Sequence, residues 1–96
     1  MAANPRTLDV LSDVGVERER QEHLRRQGRF AYTCADPAVP NAAKFVILVE
    51  EIGEVAKETL TQPGDALAFD STGSQAGLYR ELIHVAAVAV AWAESL

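Results

Sequence analysis

The chain has 96 residues, enough for one small domain and too few for two. Hydrophobic residues make up 48% of it but aromatic residues only 6%, so the core must consist of small aliphatic side chains, and such a core often needs a partner subunit to bury enough surface. The net charge of -5 argues against nucleic acid and anionic membranes as partners, because phosphate binding needs concentrated lysine and arginine.

The first predicted helix runs from about Leu8 to Gln27. Thr7 is a suitable residue to cap its start, and Gly28 is a suitable residue to end it. Gly15 lies inside this segment and weakens a helix by about 1 kcal/mol relative to alanine. Two shorter helices that break at this glycine are therefore the alternative.

The second predicted helix runs from about Ala42 to Thr61 and follows a proline-containing connection, Arg29 to Pro40. Asn41 is the predicted cap. Apolar residues recur in this helix at steps of three and four, the helical period. They are Phe45, Leu48, Val49, Ile52, Val55 and Ala56. Because further apolar residues lie on other faces, we expect this helix to pack on more than one side.

The third predicted helix runs from about Leu78 to Ser95, after a segment rich in turn residues, Thr61 to Gly77. That segment is long for a loop in so small a domain and is our candidate for a mobile cover over a site. The stretch Leu82 to Trp92 is apolar on nearly every face. A helix this apolar is hard to bury in a three-helix monomer, so we predict that it packs across a subunit interface.

These elements predict a single all-α domain that spans residues 1–96. We expect the second and third helices to form an antiparallel pair, and pairs from different subunits to complete four-helix bundles. A dimer is the smallest assembly expected, and a tetramer is the alternative. The start lacks the apolar run of a signal peptide and the run Val85 to Ala93 is too short to span a bilayer, so we expect a cytoplasmic protein without a membrane partner.

An acidic cluster directly follows the most apolar part of the second helix. Glu51 and Glu54 are three residues apart and Glu50 and Glu54 are four apart, so helical geometry makes them neighbours. Their repulsion must be offset by water, by cations from elsewhere in the fold or by a bound metal ion. Mg²⁺ favours oxygen ligands and often pairs carboxylates with substrate phosphates. The alternative is a solvated face, because glutamate is a strong helix former.

The third helix carries a second polar pair inside an apolar stretch. Glu81 and His84 are three residues apart and share a helix face. Either the pair faces the glutamates of the second helix, or Glu81 lies at an exposed helix start beside Arg80 and His84 is a satisfied core histidine.

The two motifs together resemble the signature of the MazG-like family of all-α nucleoside triphosphate pyrophosphohydrolases. That signature is Glu-Glu-x-x-Glu on one helix and, after a variable spacer, Glu-x-x-Asp on a later helix. Here the motifs are "EEIGE" at 50–54 and "ELIH" at 81–84, and the spacer is inside the usual range. "ERERQ" at 17–21 and the tail "ELIHVAAVAVAWAE" at 81–94 are similar to MazG-like proteins of bacteriophages and actinobacteria.

This resemblance implies Mg²⁺-dependent hydrolysis of an NTP or dNTP to a monophosphate and pyrophosphate, with Mn²⁺ as the alternative ion. It implies that Glu50 or Glu51, with Glu54 and Glu81, binds the metal. Glu51 and Glu54 are the expected catalytic residues. For a phage-encoded protein, the expected location is the host cytoplasm.

His84 stands where the family signature has aspartate, and an imidazole is a poorer ligand for Mg²⁺ than a carboxylate. We therefore expect reduced activity, tolerance of Mn²⁺, or a role for His84 in contacting substrate or a coordinated water. A polyphosphate usually meets lysine or arginine side chains. The candidates are Lys44, Lys57, Arg80, Arg18 and Arg20.

Two other functions stay open on the sequence alone. The first is a nucleotide- or metal-binding module with impaired catalysis, which His84 favours. The second is a purely structural helical oligomer, which the apolar third helix favours.

Overall fold

The computed structural model describes residues 4–64 and 73–96, and within these ranges it contains three α-helices and no strands. Helix α1 spans Pro5–Arg26, α2 spans Asn41–Thr59 and α3 spans Gln75–Glu94. The all-α prediction with three helices is confirmed. Residues 65–72, the middle of the segment that we predicted as a mobile cover, lie outside the described residues.

Helix α1 begins earlier than predicted, at Pro5 rather than about Leu8. The Asn4 side chain accepts a hydrogen bond from the Arg6 backbone N–H at 2.8 Å. Proline suits the first helical position because its fixed φ is already helical and a free N–H is not needed there. Thr7, the predicted cap, therefore lies inside the helix.

The rest of α1 is continuous. Gly15 lies in its interior without a break, so the alternative of two shorter helices is wrong. The helix ends where predicted, because Gly28 takes a φ of 75°, a left-handed conformation that glycine adopts without steric cost.

Helix α2 begins at Asn41 itself, so Asn41 is not the cap we predicted. Its side chain instead accepts a hydrogen bond from the Trp92 indole of α3 at 2.9 Å. Nearby, the Lys44 ammonium donates a hydrogen bond to the Ser95 hydroxyl at 2.6 Å. These bonds join the start of α2 to the end of α3, so the two helices run antiparallel.

Helix α3 begins at Gln75 rather than about Leu78. The Ser74 hydroxyl accepts a hydrogen bond from the Gly77 N–H at 2.9 Å and thereby caps the helix. Gly77 also permits close packing, because a side chain there would meet the Glu58 carboxylate of α2 at 3.0 Å.

Helix α3 lies in the centre of the fold and packs against both α1 and α2, whose backbones do not approach each other directly in the described ranges. Two small groups of buried side chains lie along α3. One is Val14, Ile83 and Ala87, and the other is Cys34, Val88 and Ala91. The core is thus assembled from small side chains, as the composition indicated.

The apolar face predicted for α2 is only partly buried by the described residues of the chain. Leu48 and Val55 are half-buried, whereas Phe45, Val49 and Ile52 are 56%, 48% and 50% exposed. We call these three exposed residues the α2 stripe. On α3, apolar residues such as Leu82 are exposed as well.

Of the described helices, α3 is long and apolar enough to cross a membrane by the criteria of length and composition alone. The core helix of a soluble protein meets the same criteria, so this finding is weak evidence about location.

Candidate metal centre

Three acidic or imidazole side chains converge between α2 and α3. Glu51, Glu81 and His84 each offer one ligand atom, and these atoms all lie within 4.8 Å of one another. The Nδ1 atom of His84 is 3.3 Å from Oε2 of Glu81 and 4.0 Å from Oε2 of Glu51. The two sequence motifs therefore meet across the interface of the antiparallel helices.

Helical periodicity explains why these polar groups point inward. Glu51 lies one turn after Ile47, and His84 lies one turn before Val88. Ile47 and Val88 pack in the same apolar group. The ligand atoms are therefore supported by helix faces that are already fixed by core packing.

The donor set fits a divalent cation. An octahedral Mg²⁺ with bonds of about 2.1 Å holds its ligand atoms about 3.0 to 4.2 Å apart, so small side-chain rotations would close this group around an ion. Two carboxylates suit Mg²⁺ or Mn²⁺, and the imidazole moves the preference towards first-row transition ions.

Electrostatics within the group favour a cation. Burial raises the pKa of the Glu51 carboxyl above its ordinary value, and His84 opposes this shift. Three neighbouring carboxylates raise the pKa of Glu51 further: Glu81, Glu54 and Glu17. Negative charge is thus crowded here, and a divalent ion would relieve the repulsion.

Glu17 on α1 is a third acidic residue at this site, and neither of the two acidic motifs at 50–54 and 81–84 contains it. It is only 8% exposed, and its Oε1 lies 3.8 Å from Nε2 of His84. Arg20 donates two hydrogen bonds to it, at 2.7 and 2.8 Å. Burial alone would raise the pKa of Glu17, but the hydrogen bonds and charge of Arg20, with the charge of His84, hold it below the ordinary value.

A signal for Glu17 was present in the sequence. It lies three residues after the buried Val14, so the helical period places it on the inward face of α1. A mostly charged stretch such as "ERERQ" is otherwise typical of a solvated surface, so its composition does not indicate a buried carboxylate.

The other predicted acidic ligands lie outside this group. Glu50 and Glu54 are exposed on α2. Glu54 still acts on Glu51 through its charge.

The predicted phosphate-binding cations are dispersed. Lys44 of α2 is 1% exposed and packs against the end of α3. Arg18 is also buried, and it donates hydrogen bonds to Glu22 and Glu94. Lys57 is exposed near the end of α2. Arg20 and Arg80 are the candidates near Glu51, Glu81 and His84, and the Arg80 side chain is 65% exposed beside Glu81.

We call Glu51, Glu81 and His84 the ligand group. Two cavities open beside it, and His84, Glu17 and Arg20 line both of them. The α1–α2 cavity has a volume of about 390 Å³, and its walls include Phe30, Tyr32 and Glu51. The α1–α3 cavity has a volume of about 500 Å³, and its walls include Tyr79 and Arg80.

Comparison of this chain with protein-family models, curated proteins and solved structures finds no match. Its function must therefore be inferred from its motifs and from the chemistry of the site.

Proposed function

We propose that this protein is a MazG-like, divalent-metal-dependent pyrophosphohydrolase that converts an NTP or dNTP to a monophosphate and pyrophosphate. The observation that carries the proposal is the approach of Glu51, Glu81 and His84 to within 4.8 Å of one another, beside two ligand-sized cavities. Pockets of this size are typical of small-molecule sites.

In this proposal Glu51, Glu81 and His84 hold the ion. Mg²⁺ or Mn²⁺ supplies neutralisation of phosphate charge and activation of water. Hydrolysis joins the water oxygen to the α-phosphorus and breaks the bond from that phosphorus to the oxygen that bridges to the β-phosphorus. Glu54 is exposed on the next turn after Glu51, and we assign it to accept the proton that the water loses.

Arg20 and Arg80 are the proposed phosphate-binding residues. Both line the α1–α3 cavity beside His84. Arginine suits this role because its guanidinium group pairs with two phosphate oxygens at once. In Arg20 the Nε and Nη2 groups already donate to Glu17, so its Nη1 group would meet the phosphate. Lys44 is better explained as a structural residue, because its ammonium group is buried against the end of α3.

We also propose a homo-oligomer, with a dimer as the minimum. The α2 stripe leaves large apolar side chains exposed at a helical spacing, and burial of such a face is favourable by about 25 cal/mol per Å². A second copy would cover this face and complete a four-helix bundle.

The direct test is release of pyrophosphate from a panel of NTPs and dNTPs with Mg²⁺ or Mn²⁺. We expect turnover by the wild-type protein and a loss of about 100-fold or more in Glu51→Gln, because electrostatic and metal-held contacts of this kind contribute several kcal/mol. Glu50→Gln is the matched control, since Glu50 is the adjacent residue but is exposed outside the ligand group. Absence of turnover with every nucleotide, by folded wild-type protein, would reject the proposal.

The second candidate is a nucleotide- or metal-binding module with impaired catalysis. His84 at a ligand position favours it, because imidazole binds Mg²⁺ poorly. Calorimetry distinguishes the two: saturable nucleotide binding without any hydrolysis supports the module.

The third candidate is a structural helical oligomer, which the exposed α2 stripe favours. It predicts that Mg²⁺ leaves the melting temperature of the wild-type protein unchanged. A Mg²⁺-dependent rise in melting temperature that Glu51→Gln abolishes would contradict it.

A further inference from the structure

We propose that the α1–α2 cavity binds the nucleoside part of the ligand, with the base stacked on Phe30 and Tyr32. This inference depends on the proposed function for the identity of the ligand as a nucleotide. It adds the residues that recognise the base, which neither the acidic motifs nor their spacing indicates.

The segment between α1 and α2 supplies the aromatic walls of the cavity. Phe30 and Tyr32 both line it and are 39% and 41% exposed. Exposed aromatic rings are costly to leave in water and stack well on planar heterocycles, whatever the base. Two such rings in one cavity of a chain that is only 6% aromatic are therefore a marked concentration.

The same cavity also carries hydrogen-bond donors. Arg29 and Gln21 line it. The side-chain oxygen of Gln21 accepts a hydrogen bond from Arg18 Nη1 at 2.9 Å. Because arginine can only donate, this bond fixes which end of the Gln21 amide is the oxygen; of the two amide N–H donors, one faces Glu17 and the other remains for a ligand. Arg29 and Gln21 can thus meet acceptor atoms on the edge of a base.

The α1–α3 cavity is less suitable for a base. Its aromatic residue among the described ones, Tyr79, donates a hydrogen bond to Asp13 and lies beneath the Arg6 guanidinium at 5.4 Å. Both the hydroxyl and one face of the ring are therefore in use. Arg80 in that cavity suits phosphate instead, and Arg20 lines both cavities, so the nucleotide would extend from the α1–α2 cavity, past Glu51, Glu81 and His84, towards Arg80.

The test measures binding of nucleoside monophosphates by calorimetry in the absence of metal. We expect Tyr32→Leu and Phe30→Leu each to weaken this binding roughly 5- to 150-fold, since stacking on an aromatic side chain is worth about 1 to 3 kcal/mol per base. Tyr32→Phe keeps the ring and should bind within about threefold of the wild-type protein. Thermal unfolding of each variant checks that the fold is intact.

A second series, with inorganic tripolyphosphate and Mg²⁺, separates this inference from the proposed function. We expect all of these variants to bind tripolyphosphate as the wild-type protein does. Equal binding of monophosphates by the leucine variants and wild type, or no binding by wild type, would overturn the inference even if nucleotides are hydrolysed. Ring-dependent binding without hydrolysis of any triphosphate would uphold the inference and reject the proposed activity.

Discussion

At the scale of single residues, the surroundings of His84 are unusually negative. Carboxylates approach both ring nitrogens: Glu81 and Glu51 lie near Nδ1, and Glu17 lies near Nε2. An imidazole at this position can carry a positive charge that reduces the repulsion between these groups, or can offer a nitrogen to a metal. The two roles compete, because a protonated imidazole cannot bind a cation.

Replacing His84 with aspartate should separate these roles. Without divalent ions we expect His84→Asp to lower the free energy of unfolding by about 1 kcal/mol, because a fourth carboxylate joins the group. With Mg²⁺ we expect a larger rise in melting temperature than in the wild-type protein, and faster turnover. Thermal unfolding with and without Mg²⁺ measures the first two effects, and pyrophosphate release measures the third.

His84→Asn is the control for this experiment, since it removes the imidazole without adding charge. If Mg²⁺ stabilises the aspartate variant no more than the asparagine variant, position 84 does not contribute a metal ligand.

Glu51 should make the metal-free fold less stable at neutral pH. Its pKa in the folded protein is raised, mainly by burial, so folding disfavours its charged form. This penalty is absent below the unfolded pKa of about 4.5, where Glu51 is protonated in both states, and it grows as pH rises through the folded pKa. We expect Glu51→Gln to be more stable than wild type at pH 7 in chelator and no more stable than wild type near pH 4.

Denaturant unfolding at the two pH values, with Glu50→Gln as the exposed control, measures this difference. A stability gain that is the same at both pH values would show that the raised pKa of Glu51 is not its cause.

At the scale of elements, Glu22 joins α1 to the segment that leads to α2. It accepts hydrogen bonds from Thr33 at 2.7 Å, from Arg18 at 3.0 Å and from Arg25 at 3.0 Å. Although burial acts to raise its pKa, these hydrogen bonds together lower the pKa of Glu22 to about 2. Because Thr33 follows directly after Tyr32, this contact also positions one wall of the α1–α2 cavity.

The lowered pKa of Glu22 predicts how the free energy of unfolding depends on pH. The stabilisation from Glu22 is complete above its unfolded pKa of about 4.5 and is lost as pH falls towards about 2. We expect Glu22→Gln to lose about 1 kcal/mol at pH 7, a reduced figure because solvent screens a partly exposed group. The variant should also lose less stability than wild type between pH 5 and pH 3.

Denaturant unfolding across this pH range tests the prediction, with Glu19→Gln, an exposed glutamate on the same helix, as control. If the free energy of unfolding falls equally with pH in Glu22→Gln and in the wild-type protein, the prediction is wrong.

The existence of the three helices was predictable from periodicity, but the predicted first residues of α1 and α3 were wrong. Both α1 and α3 begin earlier than predicted, because Asn4 and Ser74 cap them. Several residues in these regions can act as caps, and the choice depends on the path of the chain before the helix.

Which face of α2 is buried within the chain was less predictable. The helical period shows which residues share a face, but it does not show which face the chain itself buries. Lys44 illustrates this limit, because a lysine is almost never fully buried unless paired, and its burial depends on contact with Ser95 far along the chain. The position of Glu17 beside His84 was unpredictable for the same reason, since it is a tertiary contact between residues distant in the chain.

At the scale of the whole molecule, the α2 stripe is the feature that predicts assembly. Ile52 is 50% exposed and lies between Val49 and Ala56 at helical spacing. If a second copy covers this stripe, Ile52→Glu would bury an unpaired charge at the interface, which costs several kcal/mol. We expect the variant to be monomeric at concentrations where wild type is a dimer or tetramer, as measured by sedimentation equilibrium.

Leu96→Glu is the control for that experiment, because Leu96 is 85% exposed at the end of the described chain. Equal molar masses for Ile52→Glu and wild type would show that subunits do not associate through the α2 stripe.

The central position of α3 has a consequence for motion. Since the backbones of α1 and α2 meet α3 but not each other in the described ranges, α1 can loosen from the bundle without separating α2 from α3. Local opening of this kind requires less free energy than global unfolding and appears as faster amide hydrogen exchange. A ligand in the α1–α2 cavity would touch all three helices, so its binding should slow amide exchange in α1 more than in α2 or α3. A bound ligand would then hold α1, the helix that carries Glu17 and Arg20, against α2 and α3.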